Sequence, residues 1–289
     1  MNSVPSRVLV TGAAGTIGRA VASMLASEGV AVTALSLPGT FPPEADRHIV
    51  GDATVAHDIA SALDGADAVV HLAAIPHPDH DTPGNVFATN VVSTFRVLSE
   101  AGERGIKRAV IASSIQAFGA QLNPGNPFPA YYPLDESLPF DIADGYSHSK
   151  RVDELSAQVA WLRWGIDVVA LRFPLVRDAQ GLRESALDAA ADPAQGARLG
   201  WAYLDLRDAA RAVVLALTTD LHGAHVVGLS ARDTLLGGAT RELLAQYAPG
   251  VPVRSDLVGA AAAVDTRLAR DLLGFEAEFT IHGADHAHH

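Results

Sequence analysis

No cysteine occurs among the 289 residues, which excludes disulfide bonds, a thiolate nucleophile and a cysteine-ligated zinc. Cations are scarce: 21 Lys and Arg stand against 33 Asp and Glu, a formal net charge of −12. That balance argues against nucleic acid or an anionic membrane surface as a partner. No stretch approaches the ~20 apolar residues of a membrane-crossing helix. No basic segment followed by an apolar run opens the chain, so no signal peptide is expected and a cytoplasmic protein is the expectation. Internal repeats and low-complexity linkers are lacking too. Apolar residues are plentiful, at 48% against 19% charged. This chain can bury a real core, as one large domain or a domain with an appendage.

Its most informative stretch is Arg7-Val-Leu-Val-Thr-Gly-Ala-Ala-Gly-Thr-Ile-Gly18. A short apolar strand, Val8 to Val10, runs into a turn with glycines at 12, 15 and 18, and an amphipathic helix begins near Ile17. Residues without Cβ permit a tight turn, close approach of the backbone to a pyrophosphate, and close helix–strand packing. The N–H groups at the start of the following helix favour phosphate. A glycine triplet alone is an ordinary turn; its strand–turn–helix context makes it a dinucleotide-binding loop.

Further strands are expected over Val30–Ser36, up to Val50-Gly51-Asp52, and over Ala68–Ala74, Arg108–Ser114 and Asp167–Pro174. Helices are expected over Val86–Gly105 and Tyr146–Trp164. Alternation of strands and helices implies an α/β fold with a Rossmann-type doubly wound parallel sheet. The second strand of such a fold usually ends in an acidic residue that holds the adenosine ribose. Here Ser36 stands there, with no adjacent Arg or Lys, so NAD is preferred and NADP is possible. Asp52 is either an acceptor for the adenine amine or a turn or capping aspartate. The loop Ile75–Pro83 holds two histidines and two aspartates, but its prolines preclude helical ligand spacing, and no metal site is expected. Gln121 to Asp144 is a long, proline-containing loop, and long loops in compact domains are usually functional. The histidine-rich end, Ile281 to His289, reads as a terminal segment rather than a metal site.

Tyr146-Ser-His-Ser-Lys150 places a phenol and an ammonium four residues apart, on one face of a helix. A nearby ammonium favours a phenolate, the form that accepts a proton from an alcohol. Ser114, at a strand end, is suited to bind the same substrate oxygen. Singly, these are a solvated helix face and a strand-end turn; in this order, after a glycine-rich βα turn, they form a hydride-transfer constellation.

With these motifs the chain resembles an extended short-chain dehydrogenase/reductase, the NAD-dependent epimerase/dehydratase group. The matching stretches are Val10–Gly18, Gly51-Asp52, His71–Ala74, Asn90-Val91, Ser113-Ser114 with Gly119, Tyr146–Lys150 and Leu171–Pro174. The resemblance implies that Gly12, Gly15, Thr16, Ile17 and Gly18 line the pyrophosphate turn, with Ser36 at the ribose and Asp52 and Ala53 near adenine. It further implies that Leu72, Ala73 and Ala74 back the cofactor and that Asn90 belongs to the cofactor set. Tyr146 would be the acid/base, Lys150 would also bind the nicotinamide ribose, and Ser114 would be the catalytic serine. Phe173 and Pro174 would pack near the nicotinamide.

The division implied is residues 1–174 as the cofactor domain with the catalytic residues and 175–289 as a small substrate lobe. Within the lobe, Ala197–Asp208 is similar to the corresponding stretch of uronate dehydrogenases, where an arginine at the place of Arg198 faces a sugar-acid carboxylate. His77, Gln116 and Tyr203 are candidate partners for sugar hydroxyls, alongside Ser114. A small lobe favours a dehydrogenase of a free sugar or sugar acid. The alternatives are a nucleotide-sugar epimerase or dehydratase that retains NAD, and a binding protein without chemistry. The resemblance also implies a homodimer through the helices at 84–105 and 145–164.

Overall fold

The structure, a computed structural model, describes residues 4–40 and 45–282. Six strands and four helices alternate first: β1 (Arg7–Thr11), α1 (Thr16–Ser27), β2 (Ala31–Ser36), β3 (Arg47–Val50), α2 (Ala56–Ala62), β4 (Ala68–His71), α3 (Pro83–Glu103), β5 (Arg108–Ser114), α4 (Gly145–Trp164) and β6 (Asp167–Phe173). Then come β7 (Leu175–Arg177), α5 (Ala179–Ala191), the single turn α6 (Pro193–Gly196), β8 (Tyr203–Asp205), α7 (Leu206–Thr218), β9 (Ala224–Gly228), α8 (Thr240–Tyr247) and α9 (Arg267–Leu273).

Seven parallel strands form the main sheet in the order β3-β2-β1-β4-β5-β6-β9. The apolar runs of the inner strands fit burial on both faces. On one face α1, α7 and α9 cover Val8, Val10 and Val32; on the other, α2, α3 and α4 cover Leu9, Val69 and Ile111. The strand order reverses between β1 and β4, and such a fold opens its ligand crevice at the carboxyl ends of those strands. The expected strand over Ala68–Ala74 ends at His71. Beyond it the Leu72 and Ala73 N–H groups donate to the Thr11 hydroxyl oxygen (3.2 and 3.3 Å), which draws the chain into the crevice.

Several helix starts are fixed by side chains that accept first-turn N–H groups. Thr82 does this for α3, Asp144 for α4, Asp178 for α5 and Asp205 for α7. The α4 helix stops at Gly165, whose φ of +65° is the left-handed conformation that favours glycine.

The lobe differs from a contiguous segment 175–289. After β7 and β8 pair with each other, α7 and β9 return to the main sheet, β9 alongside β6. Conversely, Ile115, Tyr131, Tyr132 and Leu138 leave the sheet region and pack with Trp201, Tyr203, Leu244 and Val264 in a second core. The lobe is therefore woven from the loop after β5 and from later segments. Its aromatic members, Tyr131 and Tyr132 from the one segment and Trp201 and Tyr203 from the other, are buried against one another's segments. Of the histidine-rich end, residues 283–289 lie outside the described residues. Ile281 donates its N–H to the Tyr203 hydroxyl (2.9 Å), and the His282 ring meets the Leu235 carbonyl (3.1 Å).

Candidate active site

The glycine loop is shaped by exclusion. Gly12 has φ +65°, and a Cβ there would lie 2.7 Å from the Ala73 nitrogen. A Cβ on Gly18 would collide with the Gly12 carbonyl oxygen. Gly15 is the residue before α1, and no side chain caps that helix. The first-turn N–H groups of Thr16, Ile17 and Gly18 thus have no side-chain cap, and Gly12 just before them packs on Ala73 at the β4 exit. This is the cradle a pyrophosphate requires, and the loop fits a dinucleotide for that reason.

At the end of β2 the buried Ser36 shares a hydrogen bond with the His48 ring (2.8 Å). Asp52 accepts from the Thr54 N–H and hydroxyl through Oδ1 (2.7 and 2.8 Å), so it closes the turn ahead of α2. Ala53 beside it is buried. Asn90 is wholly buried, and its amide is consumed by the protein. It accepts from the Ile75 N–H (2.7 Å) and donates to the Ile75 carbonyl (3.1 Å) and the Ser149 hydroxyl (3.0 Å). It pins the loop after β4 to the start of α4.

On α4, Lys150 is buried and donates to the Ala112 carbonyl of β5 (2.9 Å) and to Asp153 (3.3 Å). Its Nζ lies 5.9 Å from the centre of the Tyr146 ring. The Tyr146 ring is buried, yet its hydroxyl has no hydrogen-bond partner among the described residues. Ser114 accepts from the Gln116 N–H (3.1 Å), which leaves its hydroxyl hydrogen to donate elsewhere. Gln116 donates to Gln121 (3.3 Å), while its Oε1 is buried without a partner. A buried unpaired acceptor is costly, so Gln116 is prepared for a donor from outside the chain. Phe173 ends β6 in register with Ser114, and Pro174 follows it.

The substrate candidates separate. His77 sits in the loop after β4, half-exposed, and accepts from the Asp79 N–H (3.3 Å). Arg198 lies over the Phe128 ring at 4.5 Å and donates through Nε to the Asn126 carbonyl (3.0 Å). This anchors it to the long loop, with its terminal nitrogens unpartnered among the described residues. Tyr203 is not brought to this cluster: it is fully buried in the second core, and its hydroxyl bonds Asp233 and the Ile281 N–H. Burial pushes its phenol well above the ordinary range, so it stays neutral and structural.

Sequence reasoning passed over the groups that hold α4 in place. Glu154 takes a two-point contact from Arg172 of β6 (2.7 and 2.9 Å), and accepts from Ser113 (2.7 Å) and Arg151 (2.9 Å). His71 lies between two threonines, its Nδ1 2.8 Å from the Thr11 hydroxyl and its Nε2 3.2 Å from Thr94. Burial, and then the charge of Lys150, lower the His71 pKa from 6.5 to about 3. A helix-face reading could have singled out Asp153 and Glu154, three and four residues beyond Lys150. No local signal marked Thr94.

A family model described as the NAD dependent epimerase/dehydratase family matches residues 8–186. A dTDP-glucose 4,6-dehydratase of Mycobacterium tuberculosis is 31% identical over 169 residues, 54% of this chain and 49% of that protein. A uronate dehydrogenase of Pseudomonas putida is 28% identical over 181 residues, 60% of this chain and 62% of that one. The chain thus spans about half the length of the dehydratase it matches. Among solved structures, the UDP-glucose 4-epimerase of Brucella ovis in complex with NAD superposes with a TM-score of 0.71 at 22% identity, covering 95% of this chain and 94% of that one. MoeE5 in complex with UDP-glucuronic acid and NAD gives 0.70 at 23% identity, covering 95% of both chains. With a glycine cradle at the β1–α1 turn, a buried Tyr146–Lys150 helix face and a match that runs through both, the chain belongs to the NAD-dependent epimerase/dehydratase family.

Proposed function

We propose that this protein is an NAD-dependent dehydrogenase of a free sugar or sugar acid. One observation carries the reading: the unpartnered Tyr146 hydroxyl, on the same helix face as the buried Lys150, beside a strand end at which Ser114 still has a hydrogen to give. Gly12, Gly15 and Gly18 admit the pyrophosphate, and the start of α1 binds it. Bound NAD supplies the hydride acceptor. Ser114 donates to the reacting substrate oxygen and orients it; Tyr146, as phenolate, takes the hydroxyl proton of the alcohol as its C–H bond is broken. Lys150 lies on the same helix face as that phenol, its Nζ 5.9 Å from the ring centre. Arg198 offers its free guanidinium end to a carboxylate, and the unpaired Oε1 of Gln116 accepts from a sugar hydroxyl. Similarity to a uronate dehydrogenase supports a sugar acid.

A second reading, a nucleotide-sugar epimerase or dehydratase that retains NAD, is favoured by the 31% identity to the dTDP-glucose dehydratase. One experiment separates the two. Cofactor-stripped protein is offered NAD and NADP against free sugars, uronic acids and UDP- and dTDP-sugars, with Tyr146→Phe alongside. The dehydrogenase reading expects net reduction of added NAD with a free sugar or uronic acid, lost by about 10²–10⁴-fold in the variant. Nucleotide-sugar conversion without net NADH, together with release of bound NAD when freshly purified, unstripped protein is denatured, would establish the second reading. The proposal also includes a homodimer through α3 and α4.

A further inference from the structure

We propose that Asp153 is the counter-charge of Lys150, and that it sets the charge felt by the Tyr146 phenol and hence the pH range in which that phenol moves protons. The inference rests on the reading of Tyr146 and Lys150 as the proton-handling pair. It adds a positioning residue to which no catalytic role follows from the motif itself.

The side chains of Asp153 and Lys150 are both buried, at 1% and 4% exposure, and Oδ2 lies 3.3 Å from Nζ. Lys150's other partner on the chain, the Ala112 carbonyl, is neutral. An ammonium held in this position by a carbonyl alone would be an uncompensated buried charge. An ionised Asp153 brings the pair to zero net charge. Tyr146, one helical turn before Lys150, therefore faces a dipole rather than a full positive charge.

The other neighbours leave this pair in control. His71 on β4 is neutral above pH about 3. Burial raises the Asp153 carboxyl, against the opposing pull of the Lys150 charge and of Thr94 on α3, which is uncharged and bonds the far side of the His71 ring. Glu154 on α4 also raises it, but Glu154 is itself balanced by Arg172 of β6 and by Arg151. From β5 the pair meets the Ala112 carbonyl. The Leu72 and Ala73 N–H groups donate to Thr11, whose hydroxyl shares a hydrogen bond with His71 Nδ1, and His71 Nε2 shares one with Thr94.

The test is a pH titration of tyrosinate absorbance, which needs no substrate, on full-length protein with and without NAD. The difference from Tyr146→Phe isolates the Tyr146 signal. Asp153→Asn keeps the shape and removes the counter-charge. The expected result is that the Tyr146 signal appears about one pH unit lower than in the unmodified protein. The acid limb of any kcat/KM profile moves the same way. A variant whose Tyr146 signal stays in place, while only its unfolding midpoint falls, overturns the proposal. Asp153→Ser repeats the measurement if the asparagine variant does not fold, and loss of folding by both would make Asp153 a packing residue and likewise overturn it. Failure of the underlying reading looks different: Tyr146→Phe would then turn over sugars as well as the unmodified protein does.

Discussion

At Gly12 the space for a side chain is missing in two senses. The backbone is left-handed, and the β4 exit stands where Cβ would be. Gly12→Ala is expected to weaken NAD binding at least tenfold and to lower stability by about 1–3 kcal/mol, from the strained conformation and the clash. Calorimetric NAD titration and urea unfolding check the two effects separately. His71 has a pH signature. Its pKa is lowered in the folded chain to about 3 by burial, whereas an unfolded histidine titrates near 6.5. Between those values the unfolded state binds the extra proton, so stability falls as pH drops from about 6.5 toward 3, by up to roughly 4 kcal/mol. His71→Gln should flatten this part of the stability curve, as read by urea unfolding at several pH values. The glycine spacing was legible in the sequence because it is a local demand on the backbone. The histidine's burial was not, because its partners Thr11 and Thr94 are 60 and 23 residues away.

At the scale of elements, α4 is the piece that must be placed accurately, since it carries Tyr146 and Lys150. Its position is set by Asp144 at the start, by Asn90 gripping Ser149, and by Glu154 joined to Arg172 of β6. Removing one member of that buried pair leaves the other charge uncompensated. Glu154→Ala is therefore expected to cost about 3–5 kcal/mol in denaturant unfolding, and to lower turnover further than stability alone explains. Arg172→Met combined with Glu154→Leu should recover much of the stability, since an apolar pair of similar size carries no desolvation cost. The helix itself was readable from the four-residue spacing of phenol and ammonium. Its docking was not, because the ion pair that fixes it joins two elements whose sequences carry no mutual signal.

On the scale of the whole molecule, α3 and α4 leave apolar side chains exposed on the outside of the sheet: Phe95 on one, and Leu155, Val159 and Leu162 on the other. The last three fall at helical spacing on a single stripe. The proposed homodimer would bury this stripe, and its native mass in sedimentation or light scattering would be twice the 30.1 kDa of the chain. Leu162→Glu should then yield a monomer; an unmodified protein already monomeric at micromolar concentration would refute the dimer. Among the described residues no helix is long and apolar enough to cross a membrane.

The sequence by itself determined the parallel α/β architecture, the dinucleotide loop and the Tyr146–Lys150 helix face, because each is a local pattern. An apolar run suits a strand buried on both faces, glycine is required where Cβ cannot fit, and residues four apart share a helix face. Only the tertiary structure decided which segments build the lobe, that Tyr203 serves the core while Arg198 keeps a free end, and that Lys150 faces a buried carboxylate. Those outcomes depend on contacts between residues far apart in the chain. Burial makes such contacts strong by stripping away water, and that burial exists only after the sheet and its helices have packed.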